Sequence, residues 1–347
     1  MKVLHVLSSR IYSGAEKVAC QIIKSFRQKG VEMVYCSPNS DIVRQMLEEQ
    51  DVTYLPMENM GVKELRRVIR QVQPDVVHAH DMRASLFSAL CCGNIPLVSH
   101  IHNNAYDARG LSPKTVGYLL AGFKAKKILW VSRSSFEGYA FHRFFANKSS
   151  VLYNIIDEEQ IFAKKAQDGN TYDYDMIYVG RLTYQKDPQR LMGLCARLKQ
   201  ERPELKVAIV GTGELEQESR DLCAKLGIGE NVHFLGFQSN PMKLVADSKA
   251  MVLTSRWEGT PMCALEAMAL GTPVVSTPSD GMKDIVVDGV SGYLTDDDEV
   301  MANVLLKIMK EPEHRQYLAE NAREKFDEIN DEEAYLQAIA ACYGINV

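Results

Sequence analysis

The sequence predicts an α/β protein with two doubly wound domains, each built on a parallel sheet. Short runs rich in valine, isoleucine and leucine alternate with longer amphipathic stretches along the whole chain, an order that is typical of right-handed βαβ units. The chain has 347 residues, which is long for a single hydrophobic core. A polar run, KKAQDGNTYDYD at 164–175, separates about six strand candidates on either side.

The first domain is predicted to comprise residues 1–153. Its strand candidates are short apolar runs bounded by polar or glycine-containing segments. They lie at 2–7, 32–37, 52–55, 75–80, 96–101, 127–132 and 150–153. Between them, apolar residues recur every three or four positions, for example at 15–29 and 63–72, which predicts helices.

The second domain is predicted at 154–330 and repeats this alternation. Its strand candidates are 175–180, 206–211, 232–236, 250–255, 273–277 and 292–295. Its predicted helices include 188–200, 214–227 and about 312–328. The segment 331–347 contains a last amphipathic helix with no strand after it, which can pack on either domain, including back on the first.

Composition and charge restrict the kind of protein. The chain is 46% hydrophobic and 24% charged, and its eight cysteines include no CxxC pair, so we expect free thiols in the reducing cytoplasm. No run of about 18 apolar residues predicts a membrane span.

The net charge of −5 conceals an asymmetry. Residues 1–150 carry 20 Lys and Arg against 12 Asp and Glu, or +8, and residues 151–347 carry 20 against 33, or −13. A basic first half suits an anionic substrate or an anionic membrane surface, although two oppositely charged solvated surfaces would also explain it. Nucleic acid is disfavoured because no aromatic residues interleave with the basic ones.

The stretch SRWEGTPMCALEAMALGTPVVST at 255–277 carries two acids eight positions apart, Glu258 and Glu266. Thr260 is a good N-cap and Pro261 fits the first helical position, so a helix is predicted to start there. Glu258 then lies in the loop before the helix, and Glu266 lies one to two turns inside it.

The predicted helix start is an anion site. The amides of Met262 and Cys263 are first-turn donors at the positive end of the helix dipole. In the loop GRLTYQKDP, Arg181 and Lys186 are five residues apart, and two cations there could neutralise a diphosphate.

Other glycine-containing stretches exclude common nucleotide sites. In VGTGELEQE at 210–218, Glu216 stands where a dinucleotide fingerprint needs its third glycine. No GxxxxGK[ST] motif is present. After the first strand, SSRIYSGAEK places Gly14 just before a helix, where a ligand could approach the backbone.

Two H-x-H pairs, DVVHAH and LVSHIH, end strand candidates. Residues two apart share one face of a strand, so His78 with His80, and His100 with His102, could each chelate a metal. Strand-end histidines that act as polar contacts or as acid/base groups are the alternative.

With these pieces assembled, the sequence closely resembles the retaining glycosyltransferases of family 4, which have the GT-B fold. The E-x7-E stretch at 255–277 is the most specific part of the resemblance. GRLTYQKDP, VGTGELE, NVHFLGF and DVVHAH match the family in order and spacing.

The resemblance implies two Rossmann-like domains that face each other across a cleft, with the donor nucleotide on the second and the acceptor on the first. Arg181 and Lys186 should hold the diphosphate, and Glu266 should bind the ribose hydroxyls. Phe237 and Gln238 match the loop that contacts the base.

The resemblance also implies a catalytic region around the donor sugar. Glu258 should lie against this sugar together with the loop Gly259, Thr260, Pro261 and Met262. His102 matches the family's histidine near the donor sugar, and Gly14 should let the first loop close over the phosphates.

The expected function is therefore that of a hexosyltransferase-type enzyme with a nucleotide-sugar donor, UDP-linked by family frequency, and with no metal or other cofactor. A glycan or lipid-linked acceptor of the cell envelope is favoured, because the basic, partly apolar stretches 111–130 and 63–70 could rest on the inner face of an anionic membrane. The alternatives are a soluble acceptor, a nucleotide-sugar epimerase or hydrolase of similar fold, and a non-catalytic subunit that binds nucleotide sugars.

Overall fold

The structure is a computed structural model that describes residues 1–27, 29–102 and 108–345. The chain forms two compact units. The second unit is Ile156–Asn330, and the first is made of the residues before and after it. The chain therefore returns to the first unit at Asp331.

In its described residues the first unit contains a six-stranded parallel sheet in the order β2-β1-β3-β4-β5-β6. The strands are β1 Lys2–Val6, β2 Glu32–Cys36, β3 Val76–Ala79, β4 Leu97–Ile101, β5 Lys127–Trp130 and β6 Ser149–Val151. The helices between them are α1 Gly14–Arg27, α2 Asp41–Glu48, α3 Val62–Val72, α4 Met82–Cys91, α5 Pro113–Lys124 and α6 Arg133–Glu137. A 3-10 helix at His142–Lys148 precedes β6.

The second unit likewise contains six parallel strands in its described residues, in the order β12-β11-β10-β7-β8-β9. The strands are β7 Met176–Val179, β8 Val207–Val210, β9 Val232–Gly236, β10 Met251–Leu253, β11 Val274–Ser276 and β12 Gly292–Leu294. The helices are α7 Glu158–Gln167, α8 Pro188–Glu201, α9 Glu216–Lys225, α10 Met242–Asp247, α11 Met262–Ala269, α12 Asp280–Ile285, α13 Asp298–Lys310 and α14 Pro312–Ile329. The last helix, α15 Glu332–Tyr343, belongs to the first unit.

The predicted doubly wound α/β class is confirmed, but one predicted strand is wrong. Residues 52–55 form no regular strand: Tyr54 makes an isolated bridge with Tyr35 beside β2. Further along, Met57 makes a second isolated bridge with Pro38, but the two bridges do not join into a ladder.

The order of the strands in each sheet indicates where a ligand site is expected. Each sheet has a point where successive strands go to opposite sides, between β1 and β3 in the first unit and between β7 and β10 in the second. Ligands of open α/β sheets bind beyond the carboxyl ends of the strands at such a switch point. The loops after these four strands are therefore the places to look for a site.

Candidate active site

A buried ion pair lies at the switch point of the second sheet. Nζ of Lys186, in the loop after β7, contacts Oε1 of Glu258, in the loop after β10. The same Oε1 accepts a hydrogen bond of 2.6 Å from Oγ of Ser255. The lysine and glutamate side chains are only 13% and 6% exposed. The fold thus joins two sequence-predicted site residues into one polar centre.

Hydrogen bonds between the two loops hold this centre in place. The amide of Arg256 donates to the carbonyl of Gln185 at 2.8 Å, and Nε2 of Gln185 donates to the carbonyl of Trp257 at 3.0 Å. Oγ1 of Thr254 donates to the carbonyl of Lys186 at 3.0 Å. Both charged residues are therefore fixed by backbone contacts before any ligand binds, which favours a preorganised site.

The lysine is a permanent cation. Burial is the largest single effect and opposes the charge of Lys186, but attraction and hydrogen bonding to Glu258, together with the influence of Cys263, raise the pKa of Lys186 above its ordinary value. A buried charge is tolerated only when it is paired. An anion that binds here must therefore compete with Glu258 for the ammonium group.

Arg181 begins the same loop, and its side chain is exposed. Its carbonyl accepts a hydrogen bond of 2.9 Å from the hydroxyl of the buried Tyr178. Its positive charge lies close enough to oppose the protonation of Lys186. The two predicted phosphate-binding cations are thus neighbours, one buried and paired and the other open to solvent.

The glycines of VGTGELE pack against this loop. A Cβ on Gly211 would lie 2.0 Å from the carbonyl oxygen of Gly180, and one on Gly213 would lie 2.2 Å from that of Leu182. Gly211 also has a φ of +129°, which side chains disfavour. The G-x-G pattern therefore serves a backbone-to-backbone approach that positions the arginine loop.

Helix α11 begins one residue later than predicted. Pro261 is the cap residue, with an extended ψ of 118°, and Met262 is the first helical residue. The carbonyl of Pro261 accepts from the amides of Ala264 and Leu265 at 3.1 and 3.3 Å. The prediction of Thr260 as N-cap is wrong, because the extended proline after it supplies the first helical carbonyl.

Two further residues shape this helix start. Glu266 lies in the second turn of α11 and is 4% exposed; its ribose contact stays a prediction. Sequence reasoning missed Gly281 on α12, where a Cβ would lie 1.2 Å from the carbonyl oxygen of Gly259. The available signal was the glycine of the short polar run PSDGMKD, five residues after the end of β11.

The predicted base-contacting residues follow β9. Phe237 is 53% exposed, and Nε2 of Gln238 donates to the carbonyl of Leu235 at 2.7 Å. The amide of Gly211 donates to the carbonyl of Gly236 at 2.8 Å, so the ends of β8 and β9 are joined. The loops that carry the predicted donor residues of this unit thus follow β7, β9 and β10, at the carboxyl ends of the parallel strands.

In the first unit, Gly14 is the first residue of α1. The amide and hydroxyl of Ser13 both donate to Oε2 of Glu16 at 2.9 Å, as in a capping box. Burial raises the pKa of Glu16. The amide of Ser8 donates to Oδ2 of Asp81 at 2.9 Å, which links the loops after β1 and β3.

Histidine rings pack together beside these loops. They are His5, His78, His80, His100 and His102. The sequence indicated the last four, but it did not single out His5, a lone histidine in KVLHVL. His5 pairs with His78 in register because β1 and β3 are neighbours. Knowledge of the strand order was the missing signal.

Burial keeps the rings neutral. It lowers the pKa of His5 to about 3. It also lowers that of His102 to about 3, although the nearby side chain of Asn154 acts in the opposite direction. The pKa values of His78 and His100 are likewise well below the ordinary value because of burial. A neutral ring is a poor proton donor at neutral pH, so a polar contact suits His102 better than acid catalysis.

Two groups of these rings could hold a metal by proximity. In each group the ring nitrogens lie within 4.8 Å of one another. The groups are His5, His78 and His80, and His80, His100 and His102. However, Nδ1 of His80 and Nε2 of His102 are 2.9 Å apart with ring planes at 15°, which is the geometry of a hydrogen bond between imidazoles. The expectation that no metal is required stays a prediction.

Comparison with known proteins adds a family. Residues 158–325 match the family model described as glycosyl transferases group 1. Residues 12–160 match the model described as glycosyltransferase family 4. The two matches together extend over both units.

The chain is also similar to proteins that are named as glycosyltransferases. An uncharacterized glycosyltransferase of Methanocaldococcus jannaschii is 29% identical over 61% of this chain and 57% of its own length. The match therefore spans a little over half of that relative. A lipopolysaccharide 1,6-galactosyltransferase of Escherichia coli K12 is 25% identical over 85% of this chain and 84% of its own length.

A solved structure shares the fold. HepE of Anabaena, in complex with UDP-glucose, superposes with a TM-score of 0.86 over 99% of both chains, at 22% identity. The two family matches and this likeness agree with the two parallel-sheet units. The chain belongs to the glycosyl transferases of group 1 and has the GT-B fold.

Proposed function

We propose that this chain transfers a sugar from a UDP-sugar to a glycan or lipid-linked acceptor of the cell envelope, with retention of configuration and without a metal ion. The observation that carries the proposal is the buried Lys186–Glu258 pair at the switch point, with Arg181 beside it. The UDP-glucose bound to HepE and the name of the galactosyltransferase relative support the choice of donor and acceptor class.

The proposed chemistry needs stabilisation of a leaving diphosphate. The bond from the anomeric carbon to the β-phosphate oxygen breaks, and the acceptor oxygen bonds to that carbon. The proton of the acceptor hydroxyl passes to the departing phosphate. Negative charge grows on the diphosphate, and cations that are already in place stabilise this state more than the ground state.

Lys186 and Arg181 are the proposed replacements for a metal. A fixed ammonium and an exposed guanidinium supply two positive charges at one strand edge. The start of α11 adds a helix dipole, an interaction of about 0.3–1 kcal/mol with an anion. We therefore expect turnover to persist in a chelator such as EDTA.

Calorimetric titration of UDP, GDP and ADP tests the donor assignment. We expect UDP to bind in the micromolar range and Glu266→Ala to weaken it about tenfold, roughly 1.4 kcal/mol. Glu324→Ala, which removes an exposed glutamate on α14, is the matched control and should leave affinity unchanged. Binding of GDP or ADP alone would replace UDP in the proposal, and no binding by wild type would favour a non-catalytic subunit.

The acceptor assignment is supported by an apolar surface in the first unit. Val116, Leu120 and Phe123 share one face of α5 and are 53%, 51% and 61% exposed. Leu111 just before the helix is 82% exposed. Together with the +8 charge of residues 1–150, this surface suits an anionic bilayer at the cytoplasmic face, which attracts each nearby Lys or Arg by about 1 kcal/mol. Among the described residues, no helix combines the length and hydropathy that a bilayer span requires.

Vesicle sedimentation tests this surface. The chain should pellet with vesicles containing phosphatidylglycerol, less at high salt, and hardly with phosphatidylcholine alone. The double variant Leu120→Ser, Phe123→Ser should reduce pelleting. Ile42→Ser, at a 59% exposed position on α2, is the control. Equal pelleting of all variants, or none by wild type, would favour a soluble acceptor.

A further inference from the structure

Three histidines and a methionine form a continuous chain of contacts in the first unit. Nε2 of His5 lies 3.3 Å from Sδ of Met33. Nδ1 of His5 lies 2.8 Å from Nε2 of His80. Nδ1 of His80 lies 2.9 Å from Nε2 of His102. We call Met33, His5, His80 and His102 the imidazole chain.

The chemistry of these groups fixes the direction in which hydrogen bonds are donated along the imidazole chain. A neutral imidazole has one donor nitrogen and one acceptor nitrogen, whereas a thioether sulfur can only accept. Nε2 of His5 must therefore carry a proton to bond with Met33, which leaves Nδ1 of His5 as an acceptor. Nε2 of His80 then donates to His5, and its Nδ1 becomes an acceptor.

The same rule reaches the last ring. Because Nδ1 of His80 accepts, Nε2 of His102 must donate, and Nδ1 of His102 holds the lone pair. The side chain of Asn154 lies near this end and raises the pKa of His102, but Nδ1 itself has no hydrogen-bond partner among the described residues. Only the sulfur end of the imidazole chain therefore selects a direction.

We propose that Met33 is a positioning residue that fixes His102 as the Nε2–H tautomer, so that Nδ1 of His102 is an obligate hydrogen-bond acceptor. The significance of this acceptor rests on the proposed function, in which His102 meets a hydroxyl of the donor sugar. A hydroxyl can donate to Nδ1, whereas a ligand group without a proton would be rejected. The imidazole chain thus favours a ligand group that donates a hydrogen bond at this position.

The surroundings supply the conditions that such a chain requires. His5 and His80 are fully buried and Met33 is 6% exposed, so water is kept from the interior links. The pKa of His5 is lowered to about 3 by burial, so the ring is neutral at neutral pH. A protonated ring would donate at both nitrogens and interrupt the series.

Nuclear magnetic resonance of the full-length chain with ¹⁵N-labelled histidine tests the proposal without nucleotide or activity. Long-range ¹H–¹⁵N spectra distinguish the two tautomers, and single His→Gln variants assign the signals. In wild type we expect the Nε2–H form for His5, His80 and His102. In Met33→Leu the apolar volume is similar but the acceptor is gone, so the Nε2–H fraction at His102 should fall to about half.

Met57→Leu is the control for a buried methionine in the same unit, because Met57 is 1% exposed and lies outside the imidazole chain. It should leave all three tautomers unchanged. The Nδ1–H form at His102 in wild type would overturn the proposal, as would a Met33→Leu spectrum identical to wild type. Zinc that co-purifies with the chain and removes the N–H signals would also overturn it, in favour of a metal site. Loss of UDP binding with intact tautomers would refute the proposed function alone.

Discussion

The two switch points have the same topology but differ in electrostatics, since one is surrounded by neutral rings and the other by a pair of charged groups. Beside the β1–β3 edge, neutral imidazoles are joined to one another by hydrogen bonds. At the β7–β10 edge, the central contact is a buried charge pair, Lys186 with Glu258. In the proposed function, the first arrangement would determine which hydrogen bonds a ligand can make. The second would supply a fixed electrostatic field for a charged leaving group.

The difference has a physical cause in burial. Both edges remove polar groups from water, which penalises charge. The histidines respond by staying neutral, because their ordinary pKa of 6.5 is close to neutrality and burial lowers it. Lys186 stays charged because Glu258 compensates for burial. Acid should therefore lower the stability of the first unit more than that of the second.

The largest expected effect is a selective loss of stability of the first unit at low pH. A histidine whose pKa is lowered by folding binds fewer protons than in the unfolded chain between its two pKa values. The free energy of unfolding therefore falls as pH drops below 6.5 toward about 3 for His5. At pH 5.5 each such ring contributes a loss of about 1.4 kcal/mol. Glu16, whose pKa is raised by burial, acts in the opposite direction.

The chain offers one tryptophan reporter in each unit. It contains two tryptophans, Trp130 in the first unit and Trp257 in the second. Urea unfolding of Trp257→Phe should show a lower midpoint at pH 5.5 than at pH 7.5. Unfolding of Trp130→Phe should change much less, because Lys186 remains charged throughout this range. Equal shifts in both would break the comparison.

The next effect concerns the charge pair. Lys186→Met leaves Glu258 buried without its cation, which should reduce the stability of the second unit by about 3–5 kcal/mol and abolish UDP binding. Urea unfolding followed through Trp257, with parallel calorimetry, measures both. The double variant Lys186→Met, Glu258→Gln should regain most of the stability but none of the binding. Binding by the double variant would show that the lysine does not hold the nucleotide.

A steric test follows at the start of α12. Gly281→Ala should reduce stability by about 1–3 kcal/mol, because its Cβ would meet the carbonyl oxygen of Gly259 at 1.2 Å. Displacement of that loop should also weaken UDP binding. Gly229→Ala is the matched control, since a Cβ there meets nothing within 4 Å. Thermal unfolding of both variants tests this prediction. Equal unfolding midpoints for Gly281→Ala and Gly229→Ala would contradict the close approach of Gly281 to Gly259.

The smallest expected effect is a gain in UDP affinity, whereas the preceding changes reduce stability or binding. Glu258→Gln removes the carboxylate that competes for Lys186, so UDP should bind about fivefold more tightly, roughly 1 kcal/mol. Transfer should nevertheless slow if the carboxylate contacts the donor sugar. Calorimetry and a turnover assay with the same preparation separate the two results. Weaker UDP binding would mean that Glu258 orients the lysine more than it competes with the phosphate.

The sequence was sufficient for those parts of the site that lie along one segment. The alternation of strands and helices, and the loop with Arg181 and Lys186, depend on local pattern. Residues 52–55 look equally strand-like, but Tyr54 makes only an isolated bridge with Tyr35. Thr260 has the side chain of an N-cap, but the backbone of Pro261 decides where α11 begins.

Contacts between distant segments could not be predicted in the same way. Ser255, Lys186 and Glu258 meet because β7 and β10 are neighbours in the sheet. His5 and Met33 join His80 through the order β2-β1-β3. A lone histidine or methionine in an apolar strand gives no local sign of such a partner.

The close approach of Gly211 and Gly213 to the arginine loop limits how this protein can diversify. Neither position has room for a Cβ. Substitution there would therefore displace the loop that carries Arg181 and would not simply alter its specificity. The side chains of Phe237 and Gln238 at the adjoining strand end are exposed and can be exchanged without repacking. If Phe237 and Gln238 contact the base, as the resemblance implies, a programme to change the nucleotide preference should randomise 237 and 238 and leave both glycines untouched.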